Sequence, residues 1–194
     1  MEDFKHLLNE LDEVLQKYNP DEYGKLQAPL PDDIINSKLQ KAGINDDNVK
    51  AWFQWKNGEQ EDTYAQIMEC SGVLSLDDVE KYSNGNRFNP LLKPLFSEGD
   101  FMFLFNTNLG PHYGKLYFYS VACLYIDYPI SYYDSMEDMV KTIIEAYRVG
   151  AYKYENDWLD VEESQFNNIA KSYNKNSVYW RSHNPLKWQE WYEI

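Results

Sequence analysis

Residues 49–58 have the sequence VKAWFQWKNG, which indicates a short helix that ends at the Asn57-Gly58 pair. Asn45, just upstream, is a suitable N-cap for this helix, and Gly58 supplies the left-handed conformation in which many helices end. The helix carries three large aromatic side chains, Trp52, Phe53 and Trp55. Because aromatic side chains dominate the energetics of protein cores, we predict that this helix docks on the core through its aromatic face.

Two further helices are predicted before this one. Between residues 3 and 18, apolar side chains recur at helical spacing, and the Asn19-Pro20 pair ends the pattern. After a loop, Pro31 occupies a first helical position, and the helix that it begins continues to Gly43. We therefore predict that the sheet is preceded by a helical N-terminal region.

The pattern changes from helices to strands in the middle of the chain. Residues 72–76 are typical of a short strand. Residues 101–105, FMFLF, are apolar throughout, as expected for a central strand that is covered on both faces. Residues 115–119 and 122–126 complete an antiparallel meander by their aromatic and β-branched content.

Helices are predicted again after the sheet. Ser135 is a suitable N-cap with Asp138 three residues later, and a last helix covers residues 161–173. Residues 151–194 are predicted to form a helical, aromatic-rich C-terminal extension. This order predicts an α+β fold, a single domain over residues 1–194 whose predominantly antiparallel sheet is packed by N-terminal and C-terminal helices.

In their order and spacing, these segments resemble the SUKH superfamily, which includes the yeast cell-wall-synthesis regulators and many bacterial immunity proteins against polymorphic toxins. The resemblance covers residues 25–150. Residues 95–100 and the following strand match the sheet of the family, and residues 135–150 match its closing helix. The structural motif of the first part is matched by Pro31, Trp52, Trp55, Asn57 and Gly58.

The resemblance implies an immunity protein that binds a cognate toxin domain, blocks its active site or substrate path, and so protects the cell. One alternative is a regulatory scaffold that binds cellular signalling proteins, as the yeast regulators do. Such regulators usually carry long disordered extensions, whereas this chain is nearly all domain, which favours the bacterial form. The 17 Tyr and 6 Trp leave a carbohydrate-binding module as a further alternative.

The charge of the chain constrains its partners. There are 32 acidic and 18 basic residues, which give a formal net charge of −14. Such a charge repels nucleic-acid phosphates and favours a basic partner, for example a nuclease toxin. The same charge is equally consistent with a contribution to solubility alone. Because the negative charge repels nucleic-acid phosphates, we expect no nucleic-acid partner.

The sequence also bears on compartment. No run approaches the roughly 18 apolar residues that span a bilayer, and the first residues lack the basic and apolar regions of a signal peptide. Cys70 and Cys123 are far apart, without metal-binding spacing, which is typical of free thiols in a reducing compartment; a disulfide is the minority alternative. We expect a cytoplasmic protein without a membrane partner.

No pattern in the sequence indicates catalysis. His6, His112 and His183 are isolated from one another and from the cysteines, so no zinc site is expected. There is no G-x-S-x-G, P-loop or G-x-G-x-x-G motif. Acidic pairs such as Asp32-Asp33 are too common to single out a glycosidase pair. We expect no enzyme, no catalytic residues, no cofactor and no metal.

Charge and expected exposure select the candidate contacts for a toxin. Each acidic candidate also has a simpler explanation as a solvated loop or cap residue. The two aromatic candidates lie beside an acidic loop. They are included because interface hot spots are often aromatic. The set comprises Asp46, Asp47, Glu59, Glu61, Asp62, Asp77, Asp78, Tyr82, Phe88, Glu98 and Asp100.

Overall fold

The computed structural model describes residues 2–69, 72–85, 89–120 and 129–181. The helices in these ranges are α1 Glu2–Tyr18, α2 Pro20–Gly24, α3 Asp32–Ala42, α4 Asp47–Trp55, α5 Leu76–Gly85, α6 Met136–Val149, α7 Glu163–Tyr173 and α8 Val178–Arg181. The strands are β1 Gly72–Val73, β2 Leu92–Glu98, β3 Phe101–Asn106, β4 Leu116–Ser120, β5 Ile130–Tyr133, β6 Tyr152–Glu155 and β7 Trp158–Val161. The predicted α+β fold is confirmed.

Strands β1 to β5 form one antiparallel sheet in sequence order, and the antiparallel pairing predicted for residues 101–105 and 115–119 is confirmed in β3 and β4. The central strand β3 is covered on both faces. Phe103 and Phe105 enter the main core, whereas Leu104 pairs with Tyr117 on the opposite face and belongs to a smaller apolar cluster. Strand β5 was not predicted, and the predicted strand at residues 122–126 lies outside the described residues.

The helices pack around the main core, with α1 against α6 and α4 between α1 and α3. Trp52 of α4 is fully buried, and its ring meets the edge of Phe96 from β2 at a centroid distance of 5.4 Å. Phe53 is also fully buried, while Trp55 is half-buried and packs on Trp52. The predicted docking of α4 through its aromatic face is confirmed.

Side-chain caps set the starts of several helices. Asp46, and not the predicted Asn45, caps α4, because it is the Asp46 carboxylate that accepts the free N–H groups of the first turn. Ser75 caps α5 through the Asp78 N–H, and the predicted cap Ser135 is confirmed at the start of α6.

Gly58 has a different role from the predicted one. Helix α4 ends at Trp55 with Lys56 in an extended conformation, so Gly58 is not its left-handed cap. Gly58 does have a positive φ of 75°, but a Cβ there would lie 2.4 Å from the Ser75 nitrogen and 2.5 Å from the Leu74 carbon. Two backbone segments therefore touch at this glycine, which is a contact that only a residue without a side chain allows.

The prediction of a helical, aromatic-rich extension after residue 150 is wrong for residues 152–161, which form strands. Strands β6 and β7 form an antiparallel hairpin there, joined by Asn156 and Asp157 with φ of 54° and 62°. Two central residues with positive φ are the mark of a type I′ turn. Tyr152 of the hairpin stacks on Phe166 of α7, so this segment shares the main core.

Candidate functional site

Asp46 and Asp47, two of the predicted contacts, line a cavity of about 400 Å³ at the corner between α3 and α4. The Asp46 carboxylate is engaged in the fold, since it accepts hydrogen bonds from the Asn48 and Val49 N–H groups and from the Tyr113 hydroxyl. Burial and the hydrogen bond to Asp46 raise the pKa of Tyr113 to about 12, so this hydroxyl remains a donor. Only Asp47 of the pair is exposed.

Three other predicted contacts are also engaged within the chain. Asp77 forms an ion pair with Lys38, and Asp78 belongs to the cap of α5. The Glu59 carboxylate accepts a hydrogen bond from the Ala65 N–H at 2.8 Å. A partner that used these carboxylates would have to replace contacts that the fold already makes.

The remaining predicted contacts are exposed or lie outside the described residues. The exposed acids are Glu61, Asp62 and Asp100. Tyr82 is 38% exposed, and the Lys81 ammonium lies 5.3 Å from its ring centroid. Phe88 and the side chain of Glu98 are not among the described groups. Of these three acids, Asp62 lines a cleft.

This Trp158 cleft has a volume of about 400 Å³ and lies between the β6–β7 hairpin and the turn at residues 60–64. The side chains that determine its chemistry are Glu22, Lys25, Asp62, Tyr154, Asp157 and Trp158. Sequence reasoning had selected Asp62 alone among them.

Glu22 lies at the floor of the Trp158 cleft and is 1% exposed. Its carboxylate pairs with Lys25 and accepts hydrogen bonds from the Tyr154 hydroxyl and from the Gln66 N–H at 2.7 Å. Burial disfavours the charged form, but the bonds from Lys25, Tyr154 and Gln66 outweigh burial and lower the pKa of Glu22. The hydrogen bond to Glu22, followed by burial, raises the pKa of Tyr154. The floor is thus a satisfied ion pair.

The two walls of the cleft are tied to this floor. On one side, the Gln60 N–H donates to the Lys25 carbonyl at 2.9 Å, and the Lys25 ammonium donates to the Tyr64 carbonyl at 2.9 Å. On the other side, the Leu159 N–H of β7 donates to the buried Gln66 side chain at 2.7 Å. Because both walls are hydrogen-bonded to adjacent parts of the floor, the opening between them is set by the fold.

The rim of the cleft combines an exposed indole with carboxylates. Trp158 is 58% exposed, more than any other large aromatic side chain in the described ranges. Asp62 and Asp157 are exposed and form no ion pair with any cation that the structure describes. Because Lys25 neutralises Glu22, these two carboxylates leave the cleft with a net negative charge.

A second groove, of about 440 Å³, lies between the first half of α1, the start of α3 and the end of α4. Trp55 forms part of its wall, but the indole N–H already donates to Asp12 at 2.9 Å. On the rim, the Gln54 amide donates to the Asp32 carboxylate at 2.8 Å. Three of the polar side chains in this groove, those of Asp32, Gln54 and Trp55, are therefore already hydrogen-bonded within the chain.

Glu69 places a carboxyl group among tyrosines beneath the sheet. The Tyr133 hydroxyl donates to its Oε1 at 2.7 Å and the Tyr132 hydroxyl at 3.3 Å, while its shielded Oε2 accepts no hydrogen bond from the described residues. Burial raises the pKa of Glu69 to about 7, although the two tyrosine hydroxyls oppose that change. Glu69 therefore changes its charge near neutral pH.

The sequence pattern predicts a helical segment where the structure has the β6–β7 hairpin, so it does not predict the cleft. A signal was present: Tyr152 and Tyr154 alternate with charged residues, and the Asn156-Asp157 pair follows them. Such a pair between two short alternating runs is a hairpin signal, although a weaker one than Asn-Gly. Recognising the turn would have placed Trp158 on a strand beside it.

Within the described ranges, no group of three or more His, Cys, Asp or Glu side chains has an arrangement that would hold a metal ion. The same part of the chain contains no helix with the length and apolar character needed to cross a membrane. Comparison of the sequence with protein-family models and with curated proteins finds no match.

Proposed function

We propose that this protein is an immunity protein that binds a basic toxin domain, such as a nuclease, and neutralises it. The observation that carries the proposal is the Trp158 cleft, where an exposed indole stands beside two carboxylates that have no ion-pair partner in the described chain. The resemblance of residues 25–150 to the SUKH superfamily supplies the biological setting. In that setting the protein acts in the cytoplasm, where a toxin that has entered the cell would act.

An exposed tryptophan beside unpaired carboxylates suits recognition of a basic protein. Tryptophan is enriched at interface hot spots because one rigid ring buries a large area at a small entropic cost. Carboxylates around it attract a cationic surface, which raises the association rate at low salt. The net charge of −14 adds a long-range field of the same sign.

The direct test is capture followed by protection. The protein is immobilised and exposed to lysate of the source cells at low and at high salt, and retained proteins are identified by mass spectrometry. A retained basic domain is then expressed in a sensitive host with and without this protein. The proposal predicts retention that weakens as salt rises, toxicity of the domain alone, and rescue of growth by co-expression.

Two variants connect that result to the structure. Trp158→Ala removes the exposed indole of the cleft, and Leu109→Ala removes a side chain that is 87% exposed in a turn elsewhere. We expect Trp158→Ala to reduce both capture and rescue, and Leu109→Ala to leave both unchanged. Retention of kinases or cytoskeletal proteins without any toxic domain would contradict the proposal and favour the regulatory scaffold.

A further inference from the structure

We infer that the Trp158 cleft receives an arginine side chain of the partner, an inference that rests on the proposed function and specifies its point of contact. The guanidinium group stacks on the indole of Trp158 and donates hydrogen bonds to the carboxylates of Asp62 and Asp157, which line the same cleft.

The charge inside the cleft selects a cation. Lys25 already forms an ion pair with the buried Glu22 and also donates to the Tyr64 carbonyl at 2.9 Å, so its ammonium is satisfied. Asp62 and Asp157 remain, and they have no ion-pair partner in the described ranges. An incoming cation therefore meets two carboxylates whose charge no described side chain compensates.

The exposed indole selects arginine over lysine. A guanidinium group is planar, is weakly hydrated and stacks on aromatic faces, whereas an ammonium group is a strongly hydrated point charge. Cation–π contact with tryptophan contributes roughly 0.5 to 2 kcal/mol, depending on how far the cation is desolvated. Trp158 is 58% exposed at the rim of a cleft of about 400 Å³, so a stacked group is partly removed from water there.

The walls of the cleft are also fixed by the fold. Positive φ values at Asn156 and Asp157 hold the hairpin turn, and Asp62 on the opposite wall has a φ of 58°. The bond from the Leu159 N–H to Gln66 fixes the hairpin against the floor. A ligand that enters such a cleft does not have to order either wall, which reduces the entropic cost of binding.

The test uses two peptides of equal charge, an acetylated and amidated hexa-arginine and the corresponding hexa-lysine. Binding to the full chain is followed at low salt through the indole ¹⁵N–¹H resonance of Trp158, which the Trp158→Phe variant identifies. We expect hexa-arginine to shift this resonance and to bind about tenfold more tightly than hexa-lysine, which corresponds to one added stacking contact.

Two double variants separate local contact from general attraction. Asp62→Asn with Asp157→Asn removes both cleft carboxylates, and Asp3→Asn with Asp33→Asn removes two exposed carboxylates outside the cleft. Both variants lose the same amount of negative charge, and asparagine tolerates the positive φ of the cleft positions. We expect the first variant to weaken hexa-arginine binding about tenfold and the second by less than about twofold.

Equal losses in the two double variants, or equal affinity for the two peptides, would overturn the arginine cleft. An unperturbed Trp158 resonance at saturating hexa-arginine would overturn it as well. None of these results bears on the proposed function, because the capture-and-protection experiment uses the whole partner. A toxic domain that is neutralised equally well by the Asp62/Asp157 double variant would thus remove this inference and leave the proposed function standing.

Discussion

Trp52 and Trp158 show two opposite uses of the same side chain in one chain. Trp52 is fully buried between helix and sheet, and its ring meets Phe96 at 5.4 Å. Trp158 is 58% exposed at the edge of a cleft and lies on a short hairpin. The first stabilises the fold, and the second leaves apolar area available to a partner. A count of tryptophans therefore predicts neither role until the position of each ring is known.

Carboxylates show the same division. Asp46, near Trp52 along the chain, caps α4 and accepts a hydrogen bond from Tyr113. Asp62 and Asp157, near Trp158, are exposed without an ion-pair partner in the described residues. The Asp46 carboxylate is thus engaged by the fold, whereas those of Asp62 and Asp157 have no ion-pair partner among the described residues. The following substitutions test this contrast.

The largest effect is expected from removing the buried indole. Trp52→Ala should destabilise the protein by about 3 to 5 kcal/mol, because it leaves a large cavity in the core. Trp158→Ala should change stability by less than about 0.5 kcal/mol, since an exposed ring loses few contacts. Denaturant unfolding of both variants measures the two changes in stability. Similar losses of stability in the two variants would contradict the different roles of Trp52 and Trp158.

A smaller loss is expected at Gly58, where two backbone segments touch. Gly58→Ala should destabilise the fold by roughly 2 to 4 kcal/mol, because it adds a steric clash to the cost of a positive φ. Gly99→Ala is the matched control, since Gly99 has a φ of 52° but no atom lies within 4 Å of the position that an alanine Cβ would occupy. We expect about 1 kcal/mol for the control. Equal losses would show that no close approach exists at Gly58.

The carboxyl group of Glu69 makes the stability of the fold depend on pH. Its pKa is 4.5 in the unfolded chain and about 7 in the fold. Below pH 4.5 the carboxyl is protonated in both states; between these values the unfolded chain releases the proton first, so stability falls as pH rises. Above about pH 7 the ionised carboxyl costs at most roughly 3 kcal/mol.

Glu69→Gln keeps an oxygen that accepts from Tyr133 and removes the charge. We therefore expect the variant to be more stable than the wild type at about pH 8, by about 1 to 3 kcal/mol, with little difference at about pH 4. Thermal or denaturant unfolding at both pH values measures the effect. A variant that loses stability equally at the two pH values would contradict the burial of an ionisable carboxyl at this site.

The smallest effect is expected at the cap of α4. Asp46→Ala should cost about 1 to 2 kcal/mol, because it leaves two N–H groups of the first turn without their acceptor. Asn45→Ala, one residue earlier, should change stability by less than about 0.5 kcal/mol. The pair is compared by denaturant unfolding. A larger loss of stability in Asn45→Ala than in Asp46→Ala would instead identify Asn45 as the cap of α4, as the sequence pattern predicts.

Where the sequence carried a strong period, it predicted the structure well. The apolar spacing of residues 3–18 and the apolar run at 101–105 identified α1 and the central strand β3, since burial on defined faces leaves a regular pattern. The sequence predicts the exact N-cap residue of a helix less well. Asn45 and Asp46 both suit the N-cap position of α4, and only the geometry of the chain selects one of them.

The cleft could not be predicted from the local sequence pattern, for a physical reason. Its floor joins Glu22 to Tyr154, residues 132 positions apart, through a hydrogen bond that no local spacing encodes. Its turn uses Asn-Asp rather than Asn-Gly, so the hairpin signal was weak. Charge alone found Asp62 but gave no reason to prefer it over the other exposed acids.

The most direct test of the account is the affinity of the captured toxin domain for the Trp158→Ala variant, measured by calorimetry beside the wild type and Leu109→Ala. We predict that Trp158→Ala weakens binding by at least about tenfold, a typical hot-spot loss, while unfolding shows that its fold is intact. Leu109→Ala should bind as the wild type does. Wild-type affinity in Trp158→Ala would contradict the claim that this protein meets its partner at the Trp158 cleft.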